Sequence, residues 1–328
     1  MHLALIDAWR NGDSGGLLER IERITLTGAD ERTSLDQLWL LATTFPAVEV
    51  GLLYTESPEG RNRYPSLHWL SCAAARLSGR VAIHVCGRAA RERFAKGDLD
   101  DLVQHAPRVQ VNGHVEQSEL VQLAGRAGTL ITQHNEANAA LIECEVNNHS
   151  ILIDNSGGRG ISPAVWPRLV TAKPVGRAGG LGPHNLEAEM QDFELEVAPG
   201  GWIDMEGKLR TDDWFDLKKA WECASIHARL CQASQDLVLQ SFALPATFPK
   251  SLLPAQVERF IMGIPTGMTK GALTALAEAA GFAPNWRRLD TVQPGLYGFA
   301  LRFEGLVIPL LATLRQPESP EPSKVGGL

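Results

Sequence analysis

Residues 48–86 read VEVGLLYTESPEGRNRYPSLHWLSCAAARLSGRVAIHVC: an apolar run, a segment with helical periodicity and a second apolar run. Such a unit predicts a strand, a helix and a second strand parallel to the first. Similar apolar runs recur along the chain at Arg23–Thr27, Val48–Tyr54, Val81–Cys86, Arg108–Asn112, Thr129–Gln133, Ser150–Asp154, Pro174–Ala178 and Trp202–Glu206. Eight units of about 25 residues are the number that closes a (β/α)₈ barrel. A doubly wound sheet is the main rival, but no GxGxxG follows the first run.

The chain has 328 residues, of which 44% are hydrophobic and 21% charged, enough for a sizeable core. We expect the barrel to occupy residues 1–240, with its last helix at about Asp213–Gln240. The alternation of strands and helices stops after a Pro-containing link, and residues 251–315 predict a small α+β appendage. Its predicted elements are helices Pro254–Met262 and Thr269–Ala280 and a hairpin of Gly295–Phe303 and Leu306–Leu314. The Pro-, Glu- and Ser-rich tail, residues 316–328, predicts disorder.

Charge and cysteine usage limit the classes of partner. The net charge is −7 with both signs interspersed, which argues against a nucleic-acid binder. Five cysteines without a CxxC pair indicate a reducing compartment, and neither a signal peptide nor a membrane-spanning run is evident. The histidines do not follow a metal-ligand spacing. We therefore expect a cytoplasmic protein without metal, cofactor or membrane contact, and the apolar appendage suggests docking on the barrel or a homodimer contact.

Polar residues mark the ends of the predicted strands. In a (β/α)₈ barrel the active site lies at the carboxyl ends of the strands, so these side chains should meet there. They are Thr27, His84, Cys86, Gln110, Asn112, Gln133, Asp154, Arg177, Asp204 and Glu206. Asp154, followed by the glycine loop that holds Gly157 and Gly158, is a candidate general acid, or else a carboxylate that bonds turn amides.

A glycine-rich turn follows the seventh predicted strand. Residues 178–185 read AGGLGPHN, in which Gly179 and Gly180 allow a ligand close to the backbone. The helix start that follows offers unpaired N–H groups to an anion. Gly207, after the eighth strand, would close a phosphate cradle from the other side. The alternative is a pair of tight turns.

Four motifs in the same order make the chain resemble phosphoribosylanthranilate isomerase, a (β/α)₈ enzyme of tryptophan biosynthesis. Residues 109–113 (VQVNG) are similar to that family's VQLHG. Asp154 with residues 157–160 (GGRG) resembles its aspartate and GGTG. Residues 177–185 resemble its LAGGL-x-P-x-N, and residues 202–207 fall where its DVSSG phosphate loop lies. The resemblance covers residues 24–223.

The resemblance implies an Amadori-type isomerisation of a phosphorylated aminosugar. Asp154 matches the family's general acid, and Gly157, Gly158, Gly179, Gly180, Asn185 and Gly207 would bind substrate, with Gln110 beside them. An arginine in the loop after the second strand holds a carboxylate in that family, a role open here to Arg61 or Arg63. The family's basic cysteine is replaced by Thr27, whose hydroxyl cannot act as a base without an activating neighbour.

Three residues are candidates for the missing base. Cys86 near His84 would form an ionisable thiol–imidazole pair, or the two would be ordinary core residues. Glu206 is the third candidate, or else it forms an ion pair with Arg177. Because the base is missing, two other functions stay open: a barrel enzyme of changed chemistry on a phosphorylated substrate, and a phospho-metabolite-binding protein without catalysis.

Overall fold

Eight parallel strands pair in sequence order and close into a barrel in the computed structural model. The strands are β1 (Arg23–Thr27), β2 (Val48–Thr55), β3 (Val81–Cys86), β4 (Arg108–Asn112), β5 (Thr129–His134), β6 (His149–Asp154), β7 (Val175–Ala178) and β8 (Trp202–Met205). The structure describes residues 21, 23–154, 161–162, 166–167, 169, 171–193, 200–245, 248–288, 296–304 and 306–317. The (β/α)₈ prediction is confirmed, and each predicted apolar run forms a barrel strand.

Helices follow most of the strands and cover the barrel. They are α1 (Leu35–Thr44), α2 (Leu67–Arg76), α3 (Arg88–Lys96), α4 (Asp100–Val103), α5 (Gln117–Ala124), α6 (Leu186–Phe193) and α7 (Leu217–Gln235). Ser34 and Ser66 cap α1 and α2 by accepting a hydrogen bond from a backbone N–H of the first turn. After β5 the cover is a 3₁₀ helix, Glu136–Glu143. The connection from β6 to β7 lies largely outside the described residues.

Trp202 fills the lower part of the barrel, where the strands begin. Its side chain is 2% exposed and lies against Gly176 of the neighbouring strand β7. A Cβ at Gly176 would stand 2.2 Å from Trp202 Cε2, so only glycine leaves room for the indole. The pair shows how a small residue on one strand accepts a large residue from the next.

We expect Gly176→Ala to destabilise the protein by about 1–3 kcal/mol, because the added methyl group overpacks the barrel. Urea unfolding measures the change. Gly125→Ala is the matched control, since a Cβ there would lie 3.5 Å from its nearest neighbours, an ordinary contact. Equal stability changes in the two variants would contradict the packing explanation.

A buried ion pair lies beside Trp202. Arg108 on β4 donates to the carboxylate of Glu49 on β2 through Nε, at 3.0 and 3.1 Å, and through Nη2. Nη2 also donates to Thr25 Oγ1 at 2.9 Å, and the guanidinium stacks over the Trp202 ring at 4.5 Å. The side chains of Arg108 and Glu49 are 5% and 4% exposed. The interior of the barrel is thus charged below the candidate site.

The barrel closes between β1 and β8, where Arg23 pairs with Trp202. Arg210, after β8, reaches across this seam and donates to the Gly28 carbonyl at 2.7 Å and to Asp30 at 3.2 Å. The same Asp30 carboxylate accepts the Phe215 N–H at 2.7 Å. The loop after the first strand is therefore tied to the segment after the last one.

The chain divides into two units at Ala228/Arg229, within α7. The second unit holds a four-stranded antiparallel sheet in the order β11 (Val238–Ala243), β14 (Leu306–Arg315), β13 (Leu296–Phe303), β12 (Ala283–Arg288), with helices α8 (Ala255–Met262) and α9 (Lys270–Ala279). Within the barrel unit, after β8, the strands β9 (Arg210–Thr211) and β10 (Trp214–Phe215) form a short antiparallel hairpin. The described residues contain no helix long and apolar enough to cross a membrane.

The second unit contains two strands, β11 and β12, that the predicted helix-plus-hairpin lacks. The helix expected at Asp213–Gln240 ends at Gln235, and Val238–Ala243 is a strand that pairs with β14. Its apolar side chains join one cluster with those of β13 and β14, including Leu239, Phe299 and Leu310. Periodicity missed this strand because its partner lies at the far end of the chain. The tail after residue 317 lies outside the described residues.

Candidate active site

A cavity of about 490 Å³ opens at the carboxyl ends of the barrel strands. Of the predicted site residues, it brings together Thr27, Arg63, His84, Cys86, Gln110, Asp154, Gly179, Gly180, Glu206 and Gly207. Asn112, Gln133 and Asp204, which the sequence also placed at the strand ends, line it too, and Leu53, Tyr64, Leu152, Ala178 and Met205 complete the lining. Gly157 and Gly158 lie outside the described residues.

Four buried side chains form the bottom of this cavity, and we call Thr27, His84, Gln110 and Asp204 the polar floor. Thr27 Oγ1 donates to Asp204 Oδ1 at 2.7 Å. His84 Nε2 lies 3.7 Å from Asp204 Oδ2, and Gln110 Nε2 lies 3.4 Å from His84 Nδ1. Each member is at most 6% exposed. The inward residues of β1, β3, β4 and β8 therefore place one carboxylate in a neutral, hydrogen-bonding surrounding.

Two buried atoms of the polar floor have no hydrogen-bond partner among the described residues, and both belong to side chains that line the cavity. They are His84 Nε2 and Gln110 Oε1. Gln110 directs its amide nitrogen toward His84 Nδ1, which favours the tautomer with the proton on Nε2. Buried polar atoms of this kind usually bind water or a ligand. The polar floor thus offers a donor and an acceptor to a bound molecule.

Burial controls protonation in the polar floor. Burial raises the pKa of Asp204 to about 7, although the hydrogen bond from Thr27 lowers it, and the charge of Asp154 adds to the rise. Burial also lowers the pKa of His84 to about 4, so its imidazole is neutral at pH 7. Asp204 therefore exchanges a proton near neutral pH, as a catalytic acid or base must.

Asp154 and Asp204 stand at the same level of the barrel. In the strand register, Asp154 pairs with Ala178 of β7, and Ala178 pairs with Asp204. Two strand spacings put the two aspartate backbones about 10 Å apart. Because the residue between them is alanine, space remains above it for a ligand that contacts both carboxyl groups.

Cys86 is a poor candidate for a base. Its thiol accepts a hydrogen bond from Asn112 Nδ2 at 3.3 Å, and burial raises its pKa to about 11. A thiol of that pKa is protonated at pH 7, and the nearby His84 imidazole directs its ring nitrogens to Gln110 and Asp204 instead. The predicted thiol–imidazole pair is not formed.

Glu206 and Arg63 pair across the mouth of the cavity. Burial raises the pKa of Glu206, and the Arg63 guanidinium opposes that rise. Arg177, the predicted partner, pairs in register with Ile203 and faces away from the cavity, because its neighbours Gly176 and Ala178 face inward. Arg61 is exposed, donates to the Ser57 carbonyl and stacks on Tyr64. Of the two loop arginines, Arg63 is the one that lines this cavity.

The glycine turn borders the cavity directly above Ala178. Gly179 and Gly180 have φ of 124° and 68°, and a Cβ at Gly180 would stand 2.4 Å from the Ser162 nitrogen. Asn185 does not line the cavity. Its side chain accepts the Gly182 N–H and donates to the Gly180 carbonyl and to Ser162 Oγ. Its place in the structure is to hold the turn, and helix α6 begins only at Leu186, outside the lining.

Asp204 is the member of the site to which the sequence assigned no role. Its alternation with Glu206 placed it at the correct edge of the barrel, but nothing in the spacing showed its contact with Thr27. Tyr64 was missed for a similar reason, since it lies in the loop after β2. Among the described residues, no three His, Cys, Asp or Glu side chains gather as a metal site.

Several solved structures are similar to this chain. Phosphoribosylanthranilate isomerase from Thermus thermophilus shares 18% identity over 63% of this chain and 99% of its own, with a TM-score of 0.47. TrpF from Jonesia denitrificans shares 14% over 64% and 98%, with a TM-score of 0.48. No protein-family model and no curated protein sequence matches the chain. At these identities the similarity concerns the fold alone, and the strand pairing establishes the barrel independently.

Proposed function

We propose that this protein is an isomerase of the phosphoribosylanthranilate isomerase type, acting on a phosphorylated aminosugar. The observation that carries the proposal is the pair of carboxyl groups, Asp154 and Asp204, at one level on either side of Ala178. Isomerisation by proton transfer needs one acid, one base and no co-reactant. The sequence motifs around Asp154, Gly179 and Gly207 support the same substrate class.

The proposed chemistry moves protons through two carboxyl groups, those of Asp154 and Asp204. Asp154 donates a proton to the ring oxygen of the sugar, the C1′–oxygen bond breaks, and the amine nitrogen forms an imine with C1′. Asp204 then takes the proton from C2′, and the electron pair of that C–H bond forms the enolamine. Asp204 returns that proton to C1′, and the C2′ hydroxyl gives its proton to the Asp154 carboxylate and becomes the carbonyl of the ketose. Both aspartates are thereby restored, and all atoms of the substrate remain in the product.

Asp204 replaces the family's cysteine as the base in this proposal. Thr27 occupies the position of that cysteine, and its hydroxyl donates to Asp204 at 2.7 Å. The carboxylate on β8 thus reaches the space beside β1 where the resemblance expects a base. Its raised pKa makes the carboxylate a stronger base, and at a pKa of about 7 part of it is ionised at neutral pH.

The remaining residues suit the two ends of such a substrate. The turn at Gly179 and Gly180 and the exposed Gly207 offer backbone N–H groups to a phosphate. Arg63 lines the same cavity, and its guanidinium would bind a carboxylate in place of Glu206. These residues are therefore suited to a substrate that carries a phosphate and a carboxylate.

A fluorescence assay with phosphoribosylanthranilate tests the proposal. We expect turnover by the wild-type protein, and none above background by Asp154→Asn, which keeps the shape of the side chain but cannot donate an acidic proton. Asp101→Asn is the matched control, since Asp101 is exposed on α4. Thermal protection by ribose 5-phosphate without turnover would leave a phosphate-binding barrel and overturn the isomerase.

A further inference from the structure

A second cavity lies at the other end of the barrel. Its volume is about 500 Å³, and its lining includes Ile142, Cys144, Val146, His149, Lys173 and Pro174. His149 is the first residue of β6, and Pro174 directly precedes β7. The cavity, which we call the lower pocket, is therefore formed at the amino ends of β6 and β7, opposite the candidate active site.

Lys173 brings a positive charge to the lower pocket, and the Glu143 carboxylate of the same lining acts on it through its charge. Its Nζ donates to the Cys144 carbonyl at 2.7 Å, and it forms no ion pair with a described residue. The side chain is partly buried, and burial lowers its pKa. An ammonium group has three donors, so two remain for a ligand.

His149 brings a polar nitrogen to the same cavity. The residue is 1% exposed, and its Nε2 lies 2.8 Å from Thr132 Oγ1. Its Nδ1 is buried and has no hydrogen-bond partner within the described part of the chain. Burial and the charge of Lys173 lower the pKa of His149 to about 4, so the ring is neutral at pH 7. When the Thr132 hydroxyl donates to Nε2, Nδ1 carries the proton and becomes a donor.

We propose that the lower pocket binds a small oxyanion, a carboxylate or a monophosphate, between the Lys173 ammonium and His149 Nδ1. A cation without an ion pair to a described residue and a buried donor in the same cavity are groups that recognise such an anion. Glu143 and Glu145 also line the cavity and are exposed, and their negative charges disfavour a ligand that carries several charges. The site does not depend on the proposed isomerase activity.

Cys144 provides a local probe of this site, because its partly exposed thiol belongs to a residue that lines the lower pocket. The experiment measures the rate of alkylation by iodoacetamide, followed by peptide mass spectrometry, at constant ionic strength. Sodium acetate and inorganic phosphate are titrated separately to distinguish carboxylate from phosphate. We expect a saturable fall in the rate at Cys144, about fivefold when the anion reaches four times its Kd. The exposed Cys72 should react at an unchanged rate.

Lys173→Met is the control variant, since it keeps the length of the side chain and removes the charge. We expect it to lose the anion-dependent fall, whereas an effect transmitted from the active site would persist in it. His149→Phe, which removes the buried nitrogen, should weaken the protection in the same direction. The proposal is overturned if neither anion slows alkylation, if Cys72 slows equally, or if the protection survives in Lys173→Met.

Discussion

Asp204→Asn is expected to lower kcat/KM for phosphoribosylanthranilate by about 100- to 10,000-fold, the usual range for removal of a general base. Asparagine still accepts the hydrogen bond from Thr27, so the geometry of the polar floor should be kept. The loss is therefore assigned to proton abstraction rather than to misplacement of Thr27. Activity within threefold of wild type would exclude Asp204 as the base and return the search to Glu206.

The pH dependence of the wild-type enzyme provides a second measurement on the same residue. A base must be ionised, so kcat/KM should rise with pH and level off above about 7, the pKa to which burial raises Asp204. Thr27→Val removes the hydrogen bond that lowers this pKa, and the rise should move to higher pH. A profile that does not move in Thr27→Val would contradict the coupling between the two side chains.

Measuring the stability of Asp204→Asn shows whether a loss of activity in that variant comes from catalysis or from unfolding. Because the pKa of Asp204 is raised in the folded state, the folded protein binds the extra proton and loses stability as pH rises from about 4 through about 7. Asparagine does not ionise, so Asp204→Asn should be at least as stable as wild type at pH 8. Urea unfolding at pH 5 and pH 8 measures this difference.

Glu49→Gln should cost about 3–5 kcal/mol of unfolding free energy, since it leaves the Arg108 guanidinium buried without its counter-charge. Both side chains are at most 5% exposed, so water cannot replace the lost partner. Urea unfolding at pH 7 gives the value.

A double variant tests whether the loss of stability in Glu49→Gln comes from the unpaired Arg108 charge or from changed packing. Glu49→Leu combined with Arg108→Met removes both charges, and we expect it to regain most of the stability lost in Glu49→Gln. If Glu49→Gln lies within about 1 kcal/mol of wild type, the ion pair does not stabilise the barrel as described.

Strand periodicity was sufficient to predict the barrel because each strand signal is local. The run at Val81–Cys86, for example, is largely apolar and lies between Gly79-Arg80 and Gly87, so its identity does not depend on distant residues. Val238–Ala243 is a strand only because β14 lies beside it, and the sequence was interpreted there as the end of a helix. A periodicity analysis examines a short stretch of sequence at a time, so it cannot detect a strand that forms by pairing with a distant segment.

The candidate site shows the same limit at the level of side chains. Alternation along β3, β4 and β8 placed His84, Gln110 and Asp204 at one end of the barrel. It could not show that Thr27 directs its hydroxyl to Asp204, or that Arg63 rather than Arg177 meets Glu206. Those contacts depend on the stagger between strands and on a loop, neither of which leaves a periodic signal.

The pairing of β1 with β8 also determines when, during synthesis of the chain, the barrel can close. The backbone of β1 cannot pair with β8 until Trp202 has been synthesised, which takes a ribosome roughly 10–40 s at about 5–20 residues per second. During that time one edge of β1 presents unpaired backbone groups, the type of edge to which other chains can add. Arg210 and Phe215 emerge directly after β8, so the bonds that hold Gly28 and Asp30 form only when the last strand is in place. The segment from Trp202 to Phe215 therefore both covers the open edge of β1 and supplies the bonds that hold the loop after it.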